Sequence, residues 1–335
     1  MQADPARPDC AIETINLVKI YKGGVKALQG VSFCAKKGEI YGLLGPNGAG
    51  KTTTVKILST LIKPTSGVAR ILGHDVVQES GTVRRLIGVV PQDLTSDDEM
   101  TGFENVYIHA RLYGLSRREA EEKAWEVLEF MGLTEAAKRK TITYSGGMRK
   151  RLEIAMSLVH DPQVLFLDEP TLGLDVQSRR HLWDLILSLK KQGKTILLTT
   201  HYMEEADYLS DRVGIIDMGR IVAEGTPEEL KRRLGGDRIH IRPVDPAQAP
   251  VIGKTLESAG FTVVLENGEV IVKVPKAEEA LLSIARVIEK FNIADIRISK
   301  PNLEEVFLEL TGRRLRDEES LDPFKYRIMS RRVRK

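Results

Sequence analysis

The run Gly45-Pro46-Asn47-Gly48-Ala49-Gly50-Lys51-Thr52-Thr53 constrains this chain more than any other stretch. It fits the pattern Gly, four residues, Gly-Lys-Ser/Thr of a loop that wraps phosphate. Glu39 to Leu44 before it read as a strand, and about Lys51 to Leu61 after it as a helix. In that setting the pattern has a mechanism. Glycines let the backbone fold tightly enough to aim several N–H groups at phosphate oxygens. The helix adds its unpaired N-terminal N–H groups and its positive dipole end. Lys51 would reach the β- and γ-phosphates, and the Thr52 hydroxyl would ligate Mg²⁺. A strand, this loop and a helix in sequence commit the chain to an α/β core.

At 335 residues there is room for one large domain and a smaller one. The net charge of +3 does not suggest a polycation that coats nucleic acid, so no nucleic-acid partner is expected. The two cysteines, Cys10 and Cys34, have a spacing that suits no metal site. They read as free thiols in a reducing compartment, with a single disulfide as the alternative. Met1 to Pro5 carries neither a basic region nor an apolar core, so no signal peptide is expected. Apolar runs such as Val164 to Leu167 and Thr195 to Leu198 are strand-length, far below the ~20 residues of a membrane span.

Along the chain, residues from about 12 to 33 read as paired strands around a turn at Gly23-Gly24. A second strand-rich patch covers Gly67 to Leu72 and Ile87 to Val90, and the period turns helical between about 95 and 160. Ser116 with Glu119 forms a capping box for a helix with Ala124, Val127, Leu128 and Met131 on one face. Strands return at 164–168, 195–199 and 213–217, with a helix near 176–192. This alternation predicts a mainly parallel sheet covered by helices. Beyond Gly235-Gly236 the order is strand, helix, two strands around Asn267-Gly268, helix, strand, which suits a small α+β domain of ferredoxin-like type. The expected domains are 10–234, 236–312, and a charged C-terminal tail at 313–335.

Two further features carry chemistry. Val164 to Leu167 is an apolar strand ending in Asp168-Glu169. A magnesium-bound triphosphate at the strand's end explains adjacent carboxylates there: Asp168 for the metal, Glu169 to polarise the attacking water. Tyr144-Ser145-Gly146-Gly147-Met148 opens a helix, a second arrangement able to bind an anion.

With these motifs in this order, the chain resembles the nucleotide-binding subunit of an ABC transporter over roughly residues 10–230, within a P-loop NTPase fold. The resemblance implies a mainly parallel sheet core, an antiparallel β subdomain and a helical subdomain. It places Tyr21 against adenine, and Gly45, Asn47, Gly48, Ala49, Gly50, Lys51, Thr52 and Thr53 around the phosphates. Gln92 would contact Mg²⁺ with Thr52 and Asp168, and Ser145, Gly146 and Gly147 match the family signature. Asp175, in Gly173-Leu174-Asp175, matches the loop that crosses a dimer interface. His201 matches the switch histidine at the γ-phosphate, which makes Glu169, His201 and Lys51 the expected catalytic set. The tail Leu303 to Gly312 is similar to that of drug-resistance export ATPases. Tyr144 and Met148 depart from the signature, which usually has leucine and glutamine there.

The implied function is ATP hydrolysis by a homodimer at the cytoplasmic face of the membrane, driving export of a drug or other hydrophobic compound through a separate permease. Residues 93–115 are the expected permease contact. The alternative is a soluble ABC-type ATPase acting on ribosomes or DNA. Each residue also has a plainer reading: Tyr21 as a strand aromatic, Gln92 as a solvated loop residue, His201 as a core histidine. Arg149-Lys150-Arg151 reads as a solvated helix face and receives no role.

Overall fold

The computed structural model describes residues 9–233, 236–299 and 301–312. The expected tail at 313–335 lies outside them, as do Leu234 and Gly235. The chain divides into two compact units between Thr226 and Pro227, earlier than the Gly235-Gly236 break, so the short helix that starts at Pro227 belongs to the second unit.

The first unit runs β1 (Cys10–Ile20), β2 (Lys26–Lys36), β3 (Ile40–Leu44), α1 (Lys51–Leu58), β4 (Ser66–Ile71), β5 (His74–Asp75), α2 (Ser80–Leu86) and β6 (Ile87–Val90). It continues with α3 (Gly102–Leu112), α4 (Arg117–Phe130), α5 (Gly146–Leu158), β7 (Val164–Asp168), α6 (Val176–Lys191), β8 (Thr195–Thr200), α7 (Met203–Leu209), β9 (Arg212–Asp217) and β10 (Arg220–Gly225). One sheet has the order β2-β1-β4-β5 and is antiparallel. The other has the order β10-β9-β3-β8-β7-β6, parallel except for the β9–β10 pair.

The parallel strands carry near-continuous apolar runs, such as Val164 to Leu167 and Ile196 to Leu198, because both faces are covered. In β7, Val164 and Phe166 join one core and Leu165 and Leu167 the other. The second of these cores also takes the buried faces of α3, α4 and α5. Thr101 and Ser116 start α3 and α4 with complete capping boxes, so the helical stretch is punctuated by local hydrogen bonds. The helix expected through Leu61 closes at Leu58, where Thr60 turns to a φ of 65°.

The cysteines differ from the free-thiol expectation. Cys10 and Cys34 form a disulfide, with S–S 2.01 Å and Cα–Cα 5.5 Å. The antiparallel pairing of β1 with β2, which sets Cys10 opposite Lys36 and Cys34 opposite Glu13, brings the two together, and nothing in their linear spacing announces it.

The second unit comprises α8 (Pro227–Arg232), β11 (Asp237–Pro243), α9 (Ala249–Ser258), β12 (Thr262–Glu266), β13 (Glu269–Val274), α10 (Ala277–Ile288), β14 (Ile293–Ser299) and α11 (Leu303–Thr311). Its antiparallel sheet has the order β12-β13-β11-β14, the ferredoxin-like arrangement. Alternate residues Ile239, Ile241, Val270, Val272 and Val274 pack with Ile252, Leu256, Ile284 and Ile288 of α9 and α10 in a separate core.

Candidate active site

Three neighbouring strands end at one edge of the parallel sheet. The register sets Leu44 of β3 beside Thr200 of β8, and Thr199 of β8 beside Asp168 of β7. The next residues, Gly45, His201 and Glu169, therefore emerge side by side at the carboxyl ends of the strands, where open α/β sheets bind ligands.

The loop from Gly45 has little freedom. A Cβ on Gly45 would lie 2.2 Å from the Ile216 carbonyl oxygen. Gly50 has a φ of 112°, and a Cβ there would meet the Ala27 carbonyl oxygen at 2.8 Å. Both glycines are required by close backbone approach. Beyond the loop is a cleft of about 390 Å³ lined by Asn47, Gly48, Gly50, Lys51, Thr52, Thr53, Gln92, Glu169, Leu172 and His201. Ala49 is buried behind it, its N–H donating to the Pro46 carbonyl at 3.2 Å. Tyr21 is partly exposed, its hydroxyl 3.4 Å from Thr53 Oγ1.

Lys51 is buried, and its Nζ donates to the carbonyls of Gly45 at 2.7 Å and Pro46 at 3.0 Å. The same Nζ lies 3.1 Å from Glu169 Oε1, and His201 Nδ1 lies 3.4 Å from that oxygen. Burial alone would raise the Glu169 pKa, but the nearby His201 ring and Lys51 ammonium outweigh it and hold the carboxyl below its ordinary value. Glu169 has a left-handed backbone, φ 49°, unusual for a side chain of this size. Its N–H donates to both the carbonyl and the hydroxyl of Thr199, each at 3.1 Å, which anchors that conformation.

Asp168 Oδ1 accepts from the Thr52 hydroxyl at 3.3 Å and from the Thr199 hydroxyl. Thr52, Asp168 and Gln92 thus offer a hydroxyl, a carboxylate and an amide to one region. These are the hard oxygen donors that Mg²⁺ takes alongside phosphate oxygens and water, so the donor set fits that ion. Among the described residues no group of three or more His, Cys, Asp or Glu could hold a metal by itself. Thr199 escaped sequence reasoning, although a hydroxyl pair ending an apolar strand is the signal that marks it.

Ser145, Gly146 and Gly147 do not line this cleft. Ser145 caps α5, its Oγ accepting from the Met148 N–H at 3.3 Å, and Ser145 and Gly146 are exposed. Gly147 lies against α6, where a Cβ would meet Ser178 Oγ at 2.7 Å. Asp175 caps α6 by accepting from the Ser178 N–H at 2.9 Å, which lowers its pKa.

Tyr144, the unusual first residue of the signature, is buried and donates its hydroxyl to the Ala136 carbonyl at 2.7 Å. A Cβ on Gly102 would lie 2.1 Å from that hydroxyl oxygen, so the tyrosine depends on a glycine 42 positions away in sequence. Met148 packs its partly buried side chain on the helical core.

The basic stretch is not the solvated face expected. Lys150 is buried and donates to the carbonyls of Pro91 at 2.9 Å and Gln92 at 3.2 Å. Burial pulls its pKa down against the opposing charge of Glu153. Arg149 pairs with Asp98 at 2.8 Å, and Arg151 donates to the Met131 carbonyl at 2.9 Å. Glu153, one turn on, accepts from the backbone N–H groups of Thr95 at 2.8 Å and Ser96 at 2.7 Å. The helix that starts at the signature therefore grips both sides of Asp93, just after Gln92.

Comparison with known proteins agrees with this geometry. The ABC transporter family matches residues 28–172, and the C-terminal domain of ATP-binding protein DrrA1-3-like matches residues 225–311. The doxorubicin resistance ATP-binding protein DrrA of Mycobacterium tuberculosis is 46% identical over 311 residues, spanning 90% of this chain and 94% of that one. The chain belongs to the ATP-binding subunits of ABC transporters. The daunorubicin resistance ATP-binding protein DrrA3 of Streptomyces coeruleorubidus is 43% identical over 306 residues, spanning 91% of this chain and 96% of that protein. A dimeric ATP-binding cassette bound to ADP and Pi is 29% identical, with a TM-score of 0.59 over 64% of this chain and 98% of that one. As a member of this family the chain is an ATPase with the P-loop ABC fold. The reading as a soluble ATPase for ribosomes or DNA falls, because these relatives serve resistance and transport. Among the described residues no helix is long and apolar enough to cross a membrane.

Proposed function

We propose that this ABC ATPase hydrolyses ATP between two copies of itself and so drives a separate membrane permease, from the cytoplasmic face, to export a drug or other hydrophobic compound. The observation that carries this reading is the separation of two anion-binding features. Lys51 and Thr52 line the phosphate cleft, whereas Ser145 and Gly146 stand exposed at the start of α5 outside it. An ATP held by the loop of one copy and the Ser-Gly-Gly of another uses both features, and a two-fold axis makes the contact twice.

In this reading Lys51 exchanges Glu169 and the Gly45 and Pro46 carbonyls for the β- and γ-phosphates. That leaves Glu169, aimed by the Thr199 anchor, to orient the attacking water. Water adds in line to the γ-phosphorus as the bond to the bridging oxygen breaks, and Lys51 and His201 face the charge that builds there. Thr52, Asp168 and Gln92 would hold Mg²⁺, which when bound neutralises phosphate charge. Tyr21 supplies a ring for adenine, and Asp175 lies in the loop that meets the second copy.

For the permease contact, a groove of about 430 Å³ is lined by Leu61, Val89, Thr95, His109, Leu112, Tyr113 and Glu153, among others. Leu61 and Leu112 are well exposed at its rim. Glu153 joins this groove to the loop after Gln92, so a helix seated there would act on the nucleotide through one side chain.

Glu169→Gln tests the proposal. The amide keeps the shape but loses the carboxylate that orients water. It should bind ATP, hydrolyse it at least about 10²-fold more slowly, and elute as an ATP-dependent dimer. Near-normal phosphate release would remove Glu169 from the role, and a monomer with ATP bound would remove the shared site.

A further inference from the structure

Strand β14 closes one end of the second unit's sheet. One of its edges pairs with β11, and no strand among the described residues pairs with the other. Such an edge presents unpaired N–H and C=O groups that template another strand. Within the β11–β14 register, Ile296 lies beside Ile241 and Ile298 beside Ile239. Ile239 and Ile241 are fully buried under the helices, yet Ile296 and Ile298 on the same face remain 39% and 46% exposed. The apolar layer therefore runs out to the edge only partly covered. On the opposite face Asp295 and Arg297 alternate with them, forming an ion pair of 3.1 Å within the strand.

We propose that a second copy of this chain pairs antiparallel along this edge, joining two four-stranded sheets into one of eight. The sequence of the strand selects the occupant and the register. A two-fold axis perpendicular to the sheet keeps each face on its own side, so a residue must sit on the axis. An axis at Asp295 sets aspartate against aspartate, and one at Arg297 sets arginine against arginine. An axis at Ile296, the middle of Ile293–Ser299, gives the longest overlap. It places each Asp295 opposite the other copy's Arg297, Ile296 opposite itself, and Ile298 opposite Ala294. Charged residues on an edge normally deter pairing. Here they deter neighbouring registers and favour one, which makes them specificity elements. This contact goes beyond the ATP-bound dimer proposed above and needs no nucleotide.

The test uses the full-length chain without nucleotide, so that it and the ATP-bound dimer can fail separately. Ile296→Cys lies on the proposed axis and, under mild oxidation, should give a covalent dimer on a non-reducing gel. The unsubstituted chain, whose two cysteines are joined in the Cys10–Cys34 disulfide, should show no covalent dimer on that gel. Neither should Val264→Cys, exposed on β12 at the other end of the sheet. Adding Asp295→Arg or Arg297→Asp to Ile296→Cys should each cut the dimer yield about fivefold, because like charges then face each other. Mixing those two double variants should restore the yield as a heterodimer, since opposite charges face again. Absence of Ile296→Cys dimers, equal cross-linking at Val264→Cys, or charge reversals without effect would overturn the proposal.

Discussion

Two buried glutamates in the first unit shift in opposite directions, and the difference lies in their neighbours. Glu169 lies against Lys51 and His201, which outweigh burial and hold its pKa down. Its pairing favours the folded state above the ordinary carboxylate pKa, and that contribution is lost as pH falls through the lowered folded value. Glu205 is fully buried and accepts from the Thr171 hydroxyl at 2.8 Å and the Trp183 indole N–H at 3.0 Å. Burial dominates there and raises its pKa above 4.5, against the lowering effect of those hydrogen bonds. The sign is then reversed: stability is fully present below the unfolded value and lost as pH rises through the raised folded one. Glu205→Gln keeps an acceptor for Thr171 and Trp183 but cannot ionise. Unfolding midpoints of both proteins between pH 4.5 and 8 should show the unsubstituted chain losing stability relative to the variant as pH rises. Parallel curves would mean that Glu205 does not titrate in that range.

At the scale of elements, α5 does more than present a signature. Its first residues offer Ser145 and two glycines, and its next turns carry Lys150 and Glu153 into the loop around Gln92. Glu153→Ala would strip a charged acceptor from two backbone N–H groups, at a cost of about 2–3 kcal/mol. Amide exchange at Thr95 and Ser96 should accelerate, and ATPase activity should fall more than ATP affinity, since Lys51 and Thr52 are untouched. Unchanged exchange at those two amides would show that the loop holds itself.

At the scale of the molecule, the second unit has its own core, and none of its described residues lines the phosphate cleft. A chain ending at Thr226, where the contacts divide, should therefore fold cooperatively and bind ATP as the full chain does. Compound resistance in cells carrying the permease should fall. Lost nucleotide binding by the folded, shortened chain would put part of the ATP site in the second unit, and undiminished resistance would deny that unit a part in export.

Sequence alone determined the elements whose signals are local. A phosphate loop needs its glycines at set positions, a parallel strand is apolar on both faces, and a hydroxyl with an acid three residues on marks the starts of α3 and α4. Gly45 to Thr52, Asp168-Glu169 and the ferredoxin-like strand–helix order were legible for those reasons. What depended on residues distant in sequence was not. The Cys10–Cys34 bond follows from the pairing of two strands, and Tyr144 fits only because Gly102 leaves room for its hydroxyl. Lys150 looks like a surface cation in its own helix and is buried only because the loop at Gln92 lies over it. Hydrogen-bond partners and burial belong to pairs of segments, and only the folded chain brings those pairs together.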